Sequence, residues 1–303
     1  MGMKLFKEPE LNSPTLVACW PGIGNIGIIA VDTLRRMVGA EELGEIEPWE
    51  FFYPRKVLIE SGELKDLVFP VNKFYFKKAE GKDLLFFLGE EQPTDRGGIY
   101  AEGTKAYRMA NLVLEVALKF GCSKVYTSGA AVAPIHHTAR SRVWAVPNSE
   151  NLIEEIRSYE NTVLMSDIEG RGGQGNITGL NGLLLGVARK RGVAAICLMG
   201  EIPIYLHGFP ISYPKGSQSV LEVLGAALGI TVDLHEINAL VEQSEREIES
   251  VYARLPSEIR EQLDRLKYVT HAKPAEPGPI TEEDKKRILQ EIDKLFKKEP
   301  GVE

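Results

Sequence analysis

Along the chain, short continuous apolar runs alternate with longer stretches whose apolar residues recur at helical spacing. Thr15-Leu-Val-Ala-Cys-Trp20 is an unbroken apolar run closed by Pro21-Gly22, which predicts a buried strand. Asn25 to Val38 predicts a helix, with Ile26, Ile29, Ala30, Thr33, Leu34 and Met37 at helical spacing and Gly39 as its stop. Glu45 to Ala79 is less regular. Within it Trp49-Glu-Phe-Phe-Tyr53, Lys56-Val-Leu-Ile59 and Asn72-Lys-Phe-Tyr-Phe-Lys77 read as β segments joined by turns. Asp83 to Glu90 is a second buried strand, Tyr100 to Phe120 a long helix ended by Gly121, and Lys124 to Ser128 a third strand. An extended stretch at Arg142–Val146, a short helix at Asn151–Ser158 and a short strand at Val163–Ser166 come next. The helix Asn181–Arg191, the strand Val193–Met199 and the helix Ser217–Leu228 complete the run.

Strands alternating with helices predict an α/β fold: a mixed, largely parallel sheet flanked by helices on both faces. In such sheets ligands sit beyond the carboxyl ends of the strands. Gly-rich loops are expected there after Trp20, after Glu90 and after Ser128.

From Asp233 the pattern changes, so the expected division is an α/β core over 1–232, a helical segment over 233–268 and a linker with a terminal helix over 269–303. Ile237, Leu240, Val241, Ile248, Val251 and Tyr252 stripe one helix, Pro256 breaks it, and Ile259, Leu263 and Leu266 stripe the next. Pro274, Pro277 and Pro279 make the following stretch an extended linker. Thr281-Glu-Glu-Asp284 then opens a helical pattern whose apolar residues Ile288, Leu289, Ile292, Leu295 and Phe296 form one narrow stripe. Such a striped segment on a Pro-rich tether is either a docking element or a helix that folds back on its own domain.

Composition narrows the classes. The 303 residues carry a net charge of −7, without the basic footprint of a nucleic-acid binder. No apolar run approaches the ~18 residues of a membrane span. Met1–Glu10 has no apolar core of a signal peptide, which leads to the expectation of a cytoplasmic protein. Cys19, Cys122 and Cys197 are odd in number, far apart and set in or beside apolar runs, as buried thiols in a reducing compartment would be.

Several motifs could carry chemistry. Gly22-Ile-Gly24-Asn25-Ile-Gly27 spells the dinucleotide fingerprint between a strand and a helix, but a clean second strand ending in an acidic residue is missing. The motif therefore reads as a tight strand-to-helix turn, with affinity for an anion as the functional alternative. Gly170 to Gly182 holds six glycines in thirteen residues, yet lacks the Gly-Lys-Ser/Thr end of a phosphate-binding P-loop. Arg171, Gln174, Asn176, Thr178 and Asn181 could contact an anion or a sugar hydroxyl, and the alternative is a loop packed against neighbouring backbone. Asp95-Arg96 follows a strand and offers either bidentate anion recognition or an exposed ion pair. Glu201 ends another strand, where it reaches a ligand or caps the next turn. His136 and His137 are adjacent and would diverge on any regular element, and no His-x-x-x-His, Cys-x-x-Cys or clustered carboxylates point to a metal. Neither a cofactor nor a catalytic residue is assigned.

Pro21-Gly-Ile-Gly-Asn-Ile-Gly27 resembles the opening motif of the proteasome assembly chaperone 2 family. Ile177-Thr-Gly-Leu-Asn-Gly-Leu-Leu-Leu185, Cys197-Leu-Met-Gly-Glu201 and Ser219-Val-Leu-Glu-Val-Leu224 follow in the family's order, from about Thr15 to Asp233. The resemblance implies a phosphorylase-like α/β core, a homo-oligomer, and a chaperone that binds proteasome α-subunits during assembly of the core particle. Archaeal members can end in a hydrophobic residue, tyrosine and any residue. This sequence ends Pro300-Gly-Val-Glu303, which puts that docking mode in doubt. Two classes therefore stand: a protein-binding, non-enzymatic chaperone, or a small-molecule binder or enzyme. The second would take phosphate or a nucleoside-like ligand on Gly22, Gly24, Asn25, Gly27, Arg96, Arg171, Thr178 and Glu201.

Overall fold

The computed structural model describes residues 2–79, 81–95, 101–168 and 175–268. The unbroken apolar runs form the centre of one nine-stranded sheet. Its strands in chain order are β1 (Met3–Leu5), β2 (Thr15–Cys19), β3 (Glu41–Ile46), β6 (Asn72–Lys77), β7 (Leu84–Gly89), β8 (Lys124–Ala133), β9 (Val143–Pro147), β10 (Thr162–Leu164) and β11 (Ala194–Pro203). β4 (Lys56–Glu60) and β5 (Glu63–Val68) pair separately as a two-stranded hairpin.

The spatial order is β1-β3-β6-β7-β2-β8-β11-β9-β10. β7, β2, β8 and β11 are mutually parallel, and both flanks carry antiparallel pairs. A parallel centre must be covered on both faces, which is why β2 is buried at every position and reads as a continuous run instead of an alternation.

The helices are α1 (Ile26–Met37), α2 (Gly103–Lys119), α3 (Ile153–Arg157), α4 (Gly179–Lys190), α5 (Pro214–Leu228), α6 (His235–Ala253) and α7 (Ser257–Asp264). α2 and α4 cover one face of the sheet, burying Met109, Val113, Leu180 and Leu184 against Leu16, Phe87 and Val125. α1, α3 and α5 cover the other, with Leu34, Ile156, Val220 and Leu224 against Val17, Phe86 and Ile196. Ile237 and Ile248 of α6 belong to that second core, so the helical segment after Asp233 packs on α5.

Three local expectations differ from the structure. Trp49–Tyr53 is no strand: Pro48–Glu50 forms a 3₁₀ turn, because Pro48 lacks an N–H and sets the φ of a first helical turn. β3 is a strand without an apolar run, since Glu41, Glu42 and Glu45 interrupt it, and pairing with β6 holds it extended. Gly129–Ala133, expected as a loop, continues β8, paired residue for residue with Met199–Pro203 of β11. Small side chains have low strand propensity, but a long parallel ladder overrides it.

Candidate functional site

The β2–α1 turn is tight. Gly24 and Asn25 both lie in the left-handed region, at φ +61° and +52°. A Cβ on Gly27 would stand 2.6 Å from Cys19 Sγ and 2.7 Å from the Ser128 backbone. The close approach that Gly27 permits is therefore between α1 and β8, protein against protein. Asn25 Nδ2 donates to Ser212 Oγ at 3.2 Å.

Two amides join this turn to the loops around it. Gln92, after β7, donates from Nε2 to the Pro21 carbonyl at 2.6 Å. Its Oε1 accepts from the N–H groups of Leu180 at 2.9 Å and Ala101 at 3.3 Å. Asn181, in the first turn of α4, accepts from the Trp20 N–H at 3.2 Å and donates to the Trp20 carbonyl at 3.4 Å. Asp95 caps α2 by accepting from the Thr104 N–H at 2.8 Å.

Between these loops lies a cavity of about 230 Å³, bounded by Gly22, Gln92, Thr178, Asn181, Trp144 and the Gly129–Val132 stretch of β8. Gly22 and Thr178, far apart in sequence, thus come together. Gly24, Asn25 and Gly27 shape the turn but do not line the cavity. Arg96 and Arg171 lie outside the described residues. Among the described residues the lining carries amide groups, a hydroxyl and apolar walls, with no charged side chain.

Glu201 is fully buried and faces inward. Its carboxylate accepts from Arg142 Nε at 3.0 Å, Arg142 Nη2 at 2.7 Å, the Arg142 N–H at 3.0 Å and Trp144 Nε1 at 2.7 Å. This geometry ties β11 to β9. Cys19 and Cys197 are also buried. Burial pushes the Cys19 thiol well up and the Cys197 thiol up to about 11, which leaves both protonated and poor nucleophiles.

The loop after β8 uses both adjacent histidines. No regular element separates them, and their ring centroids stand 4.1 Å apart. His137 Nδ1 meets the Tyr205 hydroxyl at 2.7 Å and its Nε2 meets Glu249 of α6 at 3.2 Å. His136 Nε2 is 3.7 Å from Asp264 of α7, which accepts from Tyr252 OH at 2.6 Å. Lys215 of α5 pairs with Glu245 of α6 at 2.6 Å. His137 therefore latches α6 onto the core, whereas His136 Nε2 stands beyond hydrogen-bonding distance of Asp264. Burial, then the charge on His137, pushes His136 down to about 4, and burial lowers His137 as well. Among the described residues no three His, Cys, Asp or Glu side chains converge as a metal site.

The hairpin carries a different surface. Its register pairs Val57 with Leu67 and Ile59 with Leu64, so these four side chains share one face. All four are exposed, Ile59 at 65% and Leu64 at 69%. Lys56, Glu60, Glu63 and Asp66 lie on the opposite face together with the half-buried Leu58 and Val68. Lys56–Ile59 reads as a β segment in sequence, but the extra residue opposite Leu58 and Ile59 puts Leu64 and Leu67 three apart, so no simple alternation shows that they share a face.

The PAC2 family model matches residues 16–252. An uncharacterized protein of Methanocaldococcus jannaschii is 27% identical over 246 residues, 80% of this chain and 84% of that protein. Among solved structures, Pyrococcus furiosus PbaB, an archaeal proteasome activator, is 25% identical with a TM-score of 0.68, covering 82% of this chain and 97% of that one. P. furiosus PbaA, an archaeal homolog of proteasome-assembly chaperone, is similar in fold at 22% identity and a TM-score of 0.60, over 87% of this chain and 98% of that one. No helix of the described residues is long and apolar enough to cross a membrane. With its mixed α/β sheet shared by these structures and the family model spanning nearly all of that sheet, the chain belongs to the PAC2 family.

Proposed function

We propose that the chain is a protein-binding, chaperone-like PAC2 protein that works in the cytoplasm as a homo-oligomer and engages subunits of the proteasome core particle. The observation that carries this reading is the uncovered face of the β4–β5 hairpin. Two strands alone are marginal in water. A single face holding Val57, Ile59, Leu64 and Leu67 exposes apolar surface that a protein partner would cover. The 25% identical relative described as an archaeal proteasome activator gives the reading its partner class.

The test is light scattering together with capture of purified proteasome α-subunits, on the native chain and on Ile59→Glu and Leu64→Glu. The native chain is expected at a multiple of 33.6 kDa and to retain α-subunits. Either substitution is expected to lower the mass or abolish capture while leaving the melting transition in place. A native monomer that captures no α-subunit refutes the reading.

A second reading rests on the cavity between Gly22, Gln92, Thr178 and Asn181. Its amide and hydroxyl lining suits a small ligand such as a nucleoside, with phosphate requiring Arg96 or Arg171. Saturating ligand at ~100 times its dissociation constant adds ~2.7 kcal/mol, visible as a higher melting temperature. No shift across a panel of nucleosides, nucleotides and phosphate removes this reading.

A further inference from the structure

A second apolar concavity lies on the far side of the histidine latch. It has a volume of about 350 Å³ and runs between the Ile204–Leu206 turn, α6 and α7. Tyr205, Phe209, Val251, Leu255, Ile259 and Leu263 form its walls. Phe209, Val251 and Ile259 are 53%, 49% and 44% exposed, so the groove is open as described. We propose that residues 281–298 of the same chain occupy this groove through the stripe Ile288, Leu289, Ile292, Leu295 and Phe296, as an intramolecular strap that must leave before any other apolar segment can bind there.

Three observations select this occupant. The first is where the described chain ends. Leu266 lines the groove and Tyr268 is the last described residue, so the remaining chain departs from the groove's own rim. The second is reach. Residues 269–280 are about 12 residues, and at ~3.1 Å each in a Pro-rich extended form they span up to ~37 Å, enough to turn back. The third is co-occurrence. The family match stops at residue 252, so the α7 wall and the striped tail both lie beyond it.

The physical logic is that neither half is satisfied alone. A helix of about 18 residues is marginal in water without a surface to pack on. The groove offers aliphatic and aromatic walls to a stripe of the same character. A linker of this length holds the tail at an effective concentration in the ~mM range, which a free competitor must exceed.

The experiment uses the full chain and a fluorescein-labelled synthetic peptide with the sequence of residues 279–299, read by anisotropy. In the variant Ile292→Asp/Phe296→Asp the tail can no longer hold the groove. That variant is expected to bind the peptide saturably, and the native chain about tenfold more weakly or worse. Adding Val251→Asp or Ile259→Asp to the variant is expected to abolish binding. Both positions are exposed, and if one loses its cooperative melt the other, or Phe209→Asp, replaces it.

The proposal is overturned by absence of binding to the tail variant, or by equal binding to the variant and the native chain. It is equally overturned if binding survives the groove substitutions, since the stripe then docks elsewhere. A fall in the light-scattering mass of the native chain on adding peptide would show the tail exchanged between subunits, which also overturns the intramolecular assignment.

Discussion

Replacing Arg142 by methionine strips the guanidinium from Glu201 while keeping most of the stem's packing. Two charge-assisted hydrogen bonds vanish, those at 3.0 and 2.7 Å, and the carboxylate stays fully buried. Removing one partner of a buried ion pair costs ~3–5 kcal/mol, because the remaining charge is left without compensation. The Arg142 N–H and Trp144 Nε1 still donate to Glu201, which places the expected loss near the lower end, about 3 kcal/mol. At ~2 °C per kcal/mol for a chain of this size, the melting temperature should fall by about 6 °C. Glu201→Gln is expected to cost less, about 1–3 kcal/mol. It keeps an acceptor for Trp144 and leaves a guanidinium whose side chain, 23% exposed, can reach water. Urea unfolding of both single variants and the double variant closes a cycle, and a coupling above about 1 kcal/mol is expected for groups in direct contact. A loss below about 1 kcal/mol in Arg142→Met, with no coupling, would refute the assignment of Glu201 as an anchor between β9 and β11.

Gly27→Ala sets a methyl group 2.6–2.7 Å from Cys19 Sγ and the Ser128 backbone, so α1 must lift from β8. A loss of about 1–3 kcal/mol or more is expected in urea unfolding, and an unchanged midpoint would show that α1 is free to shift. Stability should also fall in mild acid. The unfolded His136 takes up its proton near pH 6.5 and the folded one only near 4, so protons favour the unfolded chain across that window. His137 adds in the same direction. Asp264, held low by Lys267 and Tyr252, contributes stability that is likewise lost on acidification. The facing groups Glu249, Lys215 and Lys267 set the remainder of the local field. Melting temperature against pH should flatten between 6.5 and 4 in His136→Asn, and an unchanged slope there would remove His136 from the account.

The parallel centre of the fold was legible because its strands are buried on both faces, as Thr15–Cys19 shows, and because Gly39 and Gly121 mark helix ends. The flanks were not. β3 pairs with β6 despite its glutamates, and Gly129–Ala133 extends because β11 lies beside it, so both depend on partners far away in sequence. Of the candidate site, Gly22 and Thr178 meet at one cavity. The residue that knits the loops together, Gln92, bonds to backbone groups 71 and 88 positions away, a relation that no local pattern encodes. The histidine pair is similar: its neighbours Tyr205, Glu249 and Asp264 arrive from three separate segments.

The unequal lengths of the central strands have one more consequence. β2 pairs with β8 only as far as Ala18 opposite Thr127, whereas β8 runs on to Ala133. At ~3.3 Å per residue the neighbour outruns β2 by roughly six residues, or about 20 Å. The cavity at Gly22 thus lies beside the part of β8 that β2 no longer pairs, where Gly129, Ala130, Ala131 and Val132 line it. The side chains that substitution could vary there are the amides Gln92 and Asn181, the Thr178 hydroxyl and the bulky walls Trp144, Met165 and Met199, while the small residues of β8 leave the space between them open.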